Sequence, residues 1–189
     1  TIQQQAAKLL HTSNAFHIKE QELLAAKLTA MAGMDQVFFA NSGAEANEAA
    51  IKLTRLFGHK KGIETPSIIV MERAFHGRTM ATLTASGSRK VQAGFEPLVP
   101  GFIRAPFNDL DAVHTIAANR EDVVAVMLEP IQGEGGIYPA EEGYLRALAQ
   151  ICEQNDWMLI LDEIQTGNGR TGKLFSYMHY GIKPDILTT

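Results

Sequence analysis

Short apolar segments alternate with helical segments along the chain, and this alternation constrains the fold more than any other feature. The clearest apolar segments are SIIVME from Ser67, VVAVMLE from Val123 and WMLILD from Trp157, with shorter ones at residues 36–40, around Ile103 and at residues 185–189. They are apolar throughout, as expected for strands that helices cover on both faces. The sequence therefore predicts an α/β fold with a mostly parallel sheet covered by helices.

Apolar residues at helical spacing fill the intervals between these segments. Helices are predicted at residues 18–32, directly after residues 36–40, from Thr79, at residues 109–119 and at residues 141–155. No repeat or linker divides the chain. The sequence begins without Met, in what resembles the middle of a helix, so we expect a piece of a longer protein that is incomplete at both ends.

Composition and charge favour a globular domain and argue against several kinds of partner. The 189 residues are 46% hydrophobic and have a formal net charge of −4 with scattered Lys and Arg, so neither nucleic acid nor a membrane surface is an expected partner. No apolar run approaches the roughly 20 residues of a membrane span. The six histidines lack ligand spacing, and no metal site is predicted.

The only cysteine, Cys152, is predicted to lie in the core. It shares a helical face with Leu145 and Leu148, which favours a buried position over a nucleophilic role. A single cysteine also excludes a disulfide within the chain and fits a reducing cytoplasm.

Polar side chains follow the predicted strands, at the edge of the sheet where α/β proteins bind ligands. After residues 36–40, Ser42 is placed to cap a helix, with Glu45 at the capping-box position. The free N–H groups of this first turn suit a phosphate, and Gly43 would allow its close approach. Helix capping alone also explains this pattern.

The turn after SIIVME brings together an aromatic ring, an imidazole and a guanidinium, at Phe75, His76 and Arg78. Phe75 could lie flat on a heteroaromatic ring, and Arg78 could bind a carboxylate in bidentate fashion. A core phenylalanine and a surface arginine are the simpler interpretations.

Two carboxylates follow the other long strands. Glu134 lies in a glycine-rich loop after VVAVMLE, where a solvated side chain is the ordinary interpretation. Asp162 ends WMLILD, and a carboxylate at the end of a buried strand needs a cation or several donors. A structural ion pair satisfies this need, and so does the N–H of a pyridinium ring.

One segment matches the sequence pattern of a dinucleotide-binding loop but lacks the strand and helix that should flank it. Residues 167–172, GNGRTG, match G-x-G-x-x-G, with Asp185 about 20 residues further on. The glycines lie several residues beyond the strand, and no convincing helix follows them. We therefore predict a loop here.

Taken together and in order, four segments resemble the class III aminotransferases that depend on pyridoxal 5'-phosphate (PLP), in the acetylornithine and ornithine group. These segments are NSGAEANEAAIKLTR, AFHGRT, EPIQGEGG and LDEIQTGNGRTG. The resemblance extends over essentially all 189 residues and is strongest to the acetylornithine members. Ornithine, succinylornithine and 4-aminobutyrate aminotransferases are alternatives, and so is a non-catalytic α/β binding module.

The resemblance implies a fold type I PLP enzyme and a role for most of the residues singled out above. Gly43 and Ala44 would donate amides to the PLP phosphate, Phe75 would stack on the ring, Asp162 would pair with the ring nitrogen as a catalytic residue, and Gln165 would approach the phenolic oxygen. The other residues placed in the cofactor pocket are Ser42, His76 and Ile164.

Substrates and assembly are implied in the same way. Arg78 would hold the α-carboxylate of N2-acetylornithine. Glu134, the other residue implied in substrate binding, corresponds to a glutamate that helps to gate between the two substrates in ornithine aminotransferases. Arginine biosynthesis, a homodimer and a cytoplasmic location are expected.

One departure from the family concerns its lysine. In relatives, the lysine that bonds covalently to PLP follows a Thr-Thr-Ala stretch, which corresponds to a position just beyond Thr189. We therefore expect residues 1–189 to be part of the large cofactor-binding domain, without the N-terminal segment or the small C-terminal domain. The 189 residues alone are expected to be inactive.

Overall fold

A computed structural model describes residues 1–13 and 15–189, and its contacts divide the chain into two compact units, Thr1–Phe38 and Phe39–Thr189. The first unit contains helices α1 (Ile2–Ala6) and α2 (Lys19–Ala32). Gly33 ends α2 with φ 63°, a conformation that glycine adopts without strain. The helix predicted at residues 18–32 is confirmed.

The second unit is built on a five-stranded parallel sheet. Its strands are β1 (Ser67–Met71), β2 (Phe102–Ala105), β3 (Val123–Leu128), β6 (Met158–Asp162) and β7 (Ile186–Thr188), while β4 (Ile131–Gln132) and β5 (Tyr138–Pro139) form a small antiparallel pair. The order across the sheet is β2-β1-β3-β6-β7. The predicted parallel α/β sheet is thus confirmed.

Helices connect these strands. They are α3 (Gly43–Lys60), α4 (Met80–Ala85), α5 (Arg89–Gln92), α6 (Leu110–Asn119) and α7 (Tyr144–Gln154), with a 3₁₀ helix at Ser176–His179. Helix α7 begins three residues after its predicted start because Gly143 precedes it in the left-handed conformation, with φ 84°. Residues 167–172 form turns and a bend, which confirms the loop predicted there.

The core lies between α3 and the central strands. Ala50 and Ile51 of α3 pack with Ile68, Met127 and Ile160, all at most 3% exposed. Full burial stabilises the fold by about 1.5–3 kcal/mol for each large apolar side chain. These contacts hold the N-terminus of α3 near the carboxyl ends of the strands.

Cys152 is buried in α7, as predicted. Burial raises the pKa of its thiol to about 12. A thiol in this setting stays protonated at neutral pH, which agrees with a packing role.

The strand predicted at residues 36–40 is wrong. In the described chain this segment adopts no strand conformation and pairs with no other strand. Its aromatic and β-branched residues fit a pleated sheet, but such propensity acts only where a partner strand offers hydrogen bonds. The boundary between the two compact units falls inside this segment.

Two further properties follow from the described residues. None of their helices is both long and apolar enough to cross a membrane. No group of three or more His, Cys, Asp or Glu side chains within residues 1–13 and 15–189 is arranged to hold a metal ion.

Gly87 supports the turn that follows β1, because its backbone lies directly against that turn. Its N–H donates to Ala74 O at 2.7 Å, and a Cβ added at Gly87 would overlap with the backbone N of Arg73. We expect Gly87→Ala to lower the free energy of unfolding by about 2–3 kcal/mol, measured by urea denaturation.

Gly62→Ala is the matched control for this prediction. An added Cβ at Gly62 meets nothing within 4 Å, so only its φ of 82° opposes alanine, at a cost of about 1 kcal/mol. A loss of stability in Gly87→Ala no larger than in Gly62→Ala would contradict the proposed close packing.

Candidate active site

Three neighbouring strands end at one edge of the sheet and deliver the polar residues of the site. Strand β1 pairs with β3, and β3 pairs with β6, all in parallel. Their carboxyl ends and the N-terminus of α3 enclose a cavity of about 340 Å³. The residues that line it are Gly43, Ala44, Asn47, Phe75, His76, Gly77, Arg78, Glu129, Asp162, Ile164 and Gln165.

Asp162 lies at the inner wall of this cavity and is only 4% exposed. Its Oδ2 accepts hydrogen bonds from Asn47 Nδ2 at 2.7 Å and from His76 Nδ1 at 2.8 Å, and its Oδ1 accepts one from the backbone N of Ile164 at 3.1 Å. A carboxylate can accept about four hydrogen bonds. Oδ1 therefore keeps one acceptor position for a further donor.

His76 is buried beside Asp162, and its two ring nitrogens have different surroundings. Because Nδ1 faces the carboxylate, this nitrogen carries a proton. Nε2 is buried and has no hydrogen-bond partner among the described residues. The backbone N–H of His76 donates to Ser86 Oγ at 2.9 Å, which holds the backbone that carries the ring.

The N-terminus of α3 forms another wall. Ser42 caps the helix, as predicted, by accepting from the backbone N of Glu45 at 3.3 Å. Glu45 reaches back to the N–H of Asn41, one residue before the position of a standard capping box. The first amides, those of Gly43 and Ala44, have no intrahelical acceptor and line the cavity, so an anion is favoured there.

Glycines allow two segments to approach α3 closely. A Cβ on Gly43 would lie 2.8 Å from Ile164 Cγ2, so that side of Gly43 is filled by a side chain. A Cβ on Gly77 would lie 2.9 Å from the Cβ of Ala44, and Gly77 has φ 134°. The structure thus gives Gly43 a packing role, and close approach of a phosphate to it stays a prediction.

Glu129 supports the turn that carries Phe75. It follows β3, is 3% exposed, and accepts from the backbone N of Phe75 at 2.9 Å and of Gly133 at 3.1 Å. Burial raises the pKa of Glu129, while the two N–H donors act in the opposite direction. Sequence reasoning missed this residue, although it follows a buried strand just as Asp162 ends one.

Asn47 was also missed. It is 1% exposed on the face of α3 that buries Ala50, Ile51 and Thr54. A signal in the sequence could have identified it, because Asn47 occupies a core position of the predicted helix. A buried polar side chain there needs hydrogen-bond partners.

Glu163 is also buried, but it stabilises a neighbouring loop and does not line the cavity. It accepts from the backbone N of Ser176 at 2.6 Å and of Tyr177 at 2.8 Å. Burial raises the pKa of its carboxyl, and these N–H donors oppose the change. Its contacts hold the 3₁₀ helix near the end of β6.

Eight of the ten residues predicted for the site line the cavity. They are Gly43, Ala44, Phe75, His76, Arg78, Asp162, Ile164 and Gln165. Ser42 and Glu134 do not line it, since Ser42 caps α3 and Glu134 is exposed in its loop. That loop lies against Gln165, because a Cβ on Gly133 would overlap with the Gln165 side chain.

Comparison with known proteins gives close relatives. The acetylornithine aminotransferase of Nitrosomonas europaea is 58% identical over 185 residues, which cover 98% of this chain and 47% of that protein. The acetylornithine aminotransferase of Gloeobacter violaceus is 50% identical over 188 residues. The chain spans about half the length of the curated relatives it matches.

A solved structure agrees with this relationship. The ornithine aminotransferase of Toxoplasma gondii has a TM-score of 0.94 and 34% identity, with 98% of this chain and 45% of that chain covered. A second structure of the Toxoplasma gondii enzyme has PLP at partial occupancy in its active site. The family model for class III aminotransferases matches residues 1–189. The chain therefore belongs to the class III aminotransferases.

Proposed function

We propose that the full-length protein transfers the amino group of N2-acetylornithine to 2-oxoglutarate with PLP as cofactor. The products are N-acetylglutamate 5-semialdehyde and glutamate, in a step of arginine biosynthesis. The observation that carries the proposal is Asp162, a buried carboxylate with one open acceptor position in a cavity beside a helix N-terminus. Identity of 58% to an acetylornithine aminotransferase supports the choice of amino donor.

The residues of the cavity fit PLP. A phosphate suits the amides of Gly43 and Ala44, which have no intrahelical acceptor, and an aromatic ring suits Phe75. A protonated ring nitrogen suits the open position on Asp162 Oδ1. When bound, PLP supplies an electron-accepting ring that stabilises negative charge at the carbon bearing the amino group.

The chain's own residues have three tasks in this proposal. Asp162 keeps a proton on the ring nitrogen, because a buried carboxylate stabilises the cationic donor beside it. Arg78, which is exposed where it lines the cavity, binds a substrate carboxylate with two parallel hydrogen bonds. Glu129 holds the Phe75 turn in place through its backbone hydrogen bond.

The proposal extends to parts of the protein outside these residues. Residues 1–189 would belong to the large cofactor-binding domain, and the full-length protein would act as a homodimer in the cytoplasm. Two findings support this extension: the chain belongs to the class III aminotransferases, and it covers only about half the length of its relatives.

Ornithine, succinylornithine and 4-aminobutyrate are alternative amino donors. We expect kcat/KM of the full-length protein for N2-acetylornithine to exceed that for each alternative by about tenfold or more, because each lacks or changes a group that the site recognises. The measurement is glutamate formation from 2-oxoglutarate with each donor. A higher value for another donor would reassign the substrate, and no transfer with any donor would favour the non-catalytic binding module.

Asp162→Asn tests the central residue with little change in volume. We expect kcat of the full-length enzyme to fall at least about 100-fold, because the amide cannot stabilise the ring proton as a carboxylate does. Asp185→Asn is the control, since Asp185 lies at the other edge of the sheet and accepts from the backbone N of Leu159 at 2.8 Å. Equal rates for both variants would reject the role of Asp162.

The 189 residues alone give a separate prediction. The family resemblance places the lysine that bonds to PLP just beyond Thr189, and amides and stacking cannot replace a covalent bond. We expect no sustained glutamate formation when this chain is incubated with PLP, N2-acetylornithine and 2-oxoglutarate. Repeated turnover would show that another group supplies the missing chemistry.

A further inference from the structure

Asn47 connects four parts of the site through one buried amide. Its Nδ2 donates to Asp162 Oδ2 at 2.7 Å and to the backbone O of His76 at 2.8 Å, and its Oδ1 accepts from Thr188 Oγ1 at 2.8 Å. The amide thus links α3 to the turn after β1 and to the ends of β6 and β7. Both N–H groups of the side chain are used.

Two groups that only accept hydrogen bonds determine which way this amide points. Asp162 Oδ2 and the backbone carbonyl of His76 can only accept, so the NH2 group must face them, and the hydroxyl of Thr188 donates to Oδ1 on the other side. The reversed amide would place oxygen against the Asp162 carboxylate and against a carbonyl, two repulsive contacts in a buried site. Thr188 is itself placed by the sheet, because it is the register partner of Asp162 in the β6–β7 pair.

The result for Asp162 is a difference between its two oxygens. Oδ2 accepts from both Asn47 and His76, while Oδ1 accepts, among the described residues, only from the backbone N of Ile164. An oxygen with two donors has little capacity left for a third. A new donor in the cavity is therefore directed to Oδ1.

We propose that Asn47 is a positioning residue for Asp162, and that Thr188 holds the Asn47 amide in place by donating to its oxygen. Together they saturate Oδ2 and hold the carboxylate with Oδ1 available to the ring nitrogen of the cofactor. This inference rests on the proposed function, since it assigns Asn47 and Thr188 a role only through the contact of Asp162 with PLP.

A double-mutant cycle tests whether Asn47 acts through Asp162. The PLP dissociation constant of the full-length apoprotein is measured by equilibrium dialysis for wild type, Asn47→Ala, Asp162→Ala and the double variant. We expect Asn47→Ala to weaken binding about tenfold in the wild-type background, as for loss of a hydrogen bond to a charged group. In the Asp162→Ala background its effect should fall below about twofold.

The outcomes separate the two claims. If Asp162→Ala binds PLP as tightly as wild type, the proposed function fails and this inference fails with it. If Asp162→Ala weakens binding but Asn47→Ala has the same effect in both backgrounds, the function stands and the positioning role is overturned.

Thr188 variants give a second test that leaves Asn47 in place. We expect Thr188→Val to weaken PLP binding about three- to fivefold through loss of one neutral hydrogen bond, and Thr188→Ser to bind within about twofold of wild type. Thr54→Val is the matched control, because buried Thr54 donates to the backbone O of Ala50 away from the cavity. Equal affinity of Thr188→Val and wild type would overturn the role of Thr188.

Discussion

A carboxylate buried at the end of a central strand is the constraint on which the rest of the site depends. Removing such a charge from water costs on the order of several kcal/mol unless donors surround it. Asp162 is met by three donors from three segments, namely Asn47, His76 and the backbone of Ile164. Each hydrogen bond also holds the segment that carries its donor against Asp162. The interactions that compensate the charge therefore position the walls of the cavity.

The parallel sheet explains why distant residues can share one carboxylate. Asn47 and Asp162 lie 115 residues apart in the sequence, and His76 and Asp162 lie 86 apart. Strands β1, β3 and β6 run in the same direction and end side by side, so the residues that follow them meet at one edge. The first turn of α3 adds amides without an intrahelical acceptor to the same edge, and the cavity lies between these elements.

Periodicity predicted the sheet and most helices because burial on both faces leaves a strong apolar signal. Periodicity failed at residues 36–40, where strand propensity finds no partner strand in the part of the chain that the structure describes. Side chains that line the cavity, such as Phe75 and Asp162, were predicted from type and position at strand ends. Asn47 and Glu129 were missed because their importance comes from partners far away in the chain, and the contact of Gly43 with Ile164 is likewise a tertiary property.

In the proposed function, Asp162 holds a protonated ring nitrogen of PLP. The most direct test is the ¹⁵N NMR spectrum of the full-length protein loaded with PLP labelled at the ring nitrogen. We expect the chemical shift of a protonated pyridinium at neutral pH, and the shift of the unprotonated form in Asp162→Asn, because the carboxylate stabilises that proton. An unprotonated ring nitrogen in the wild-type protein would show that Asp162 does not have this role.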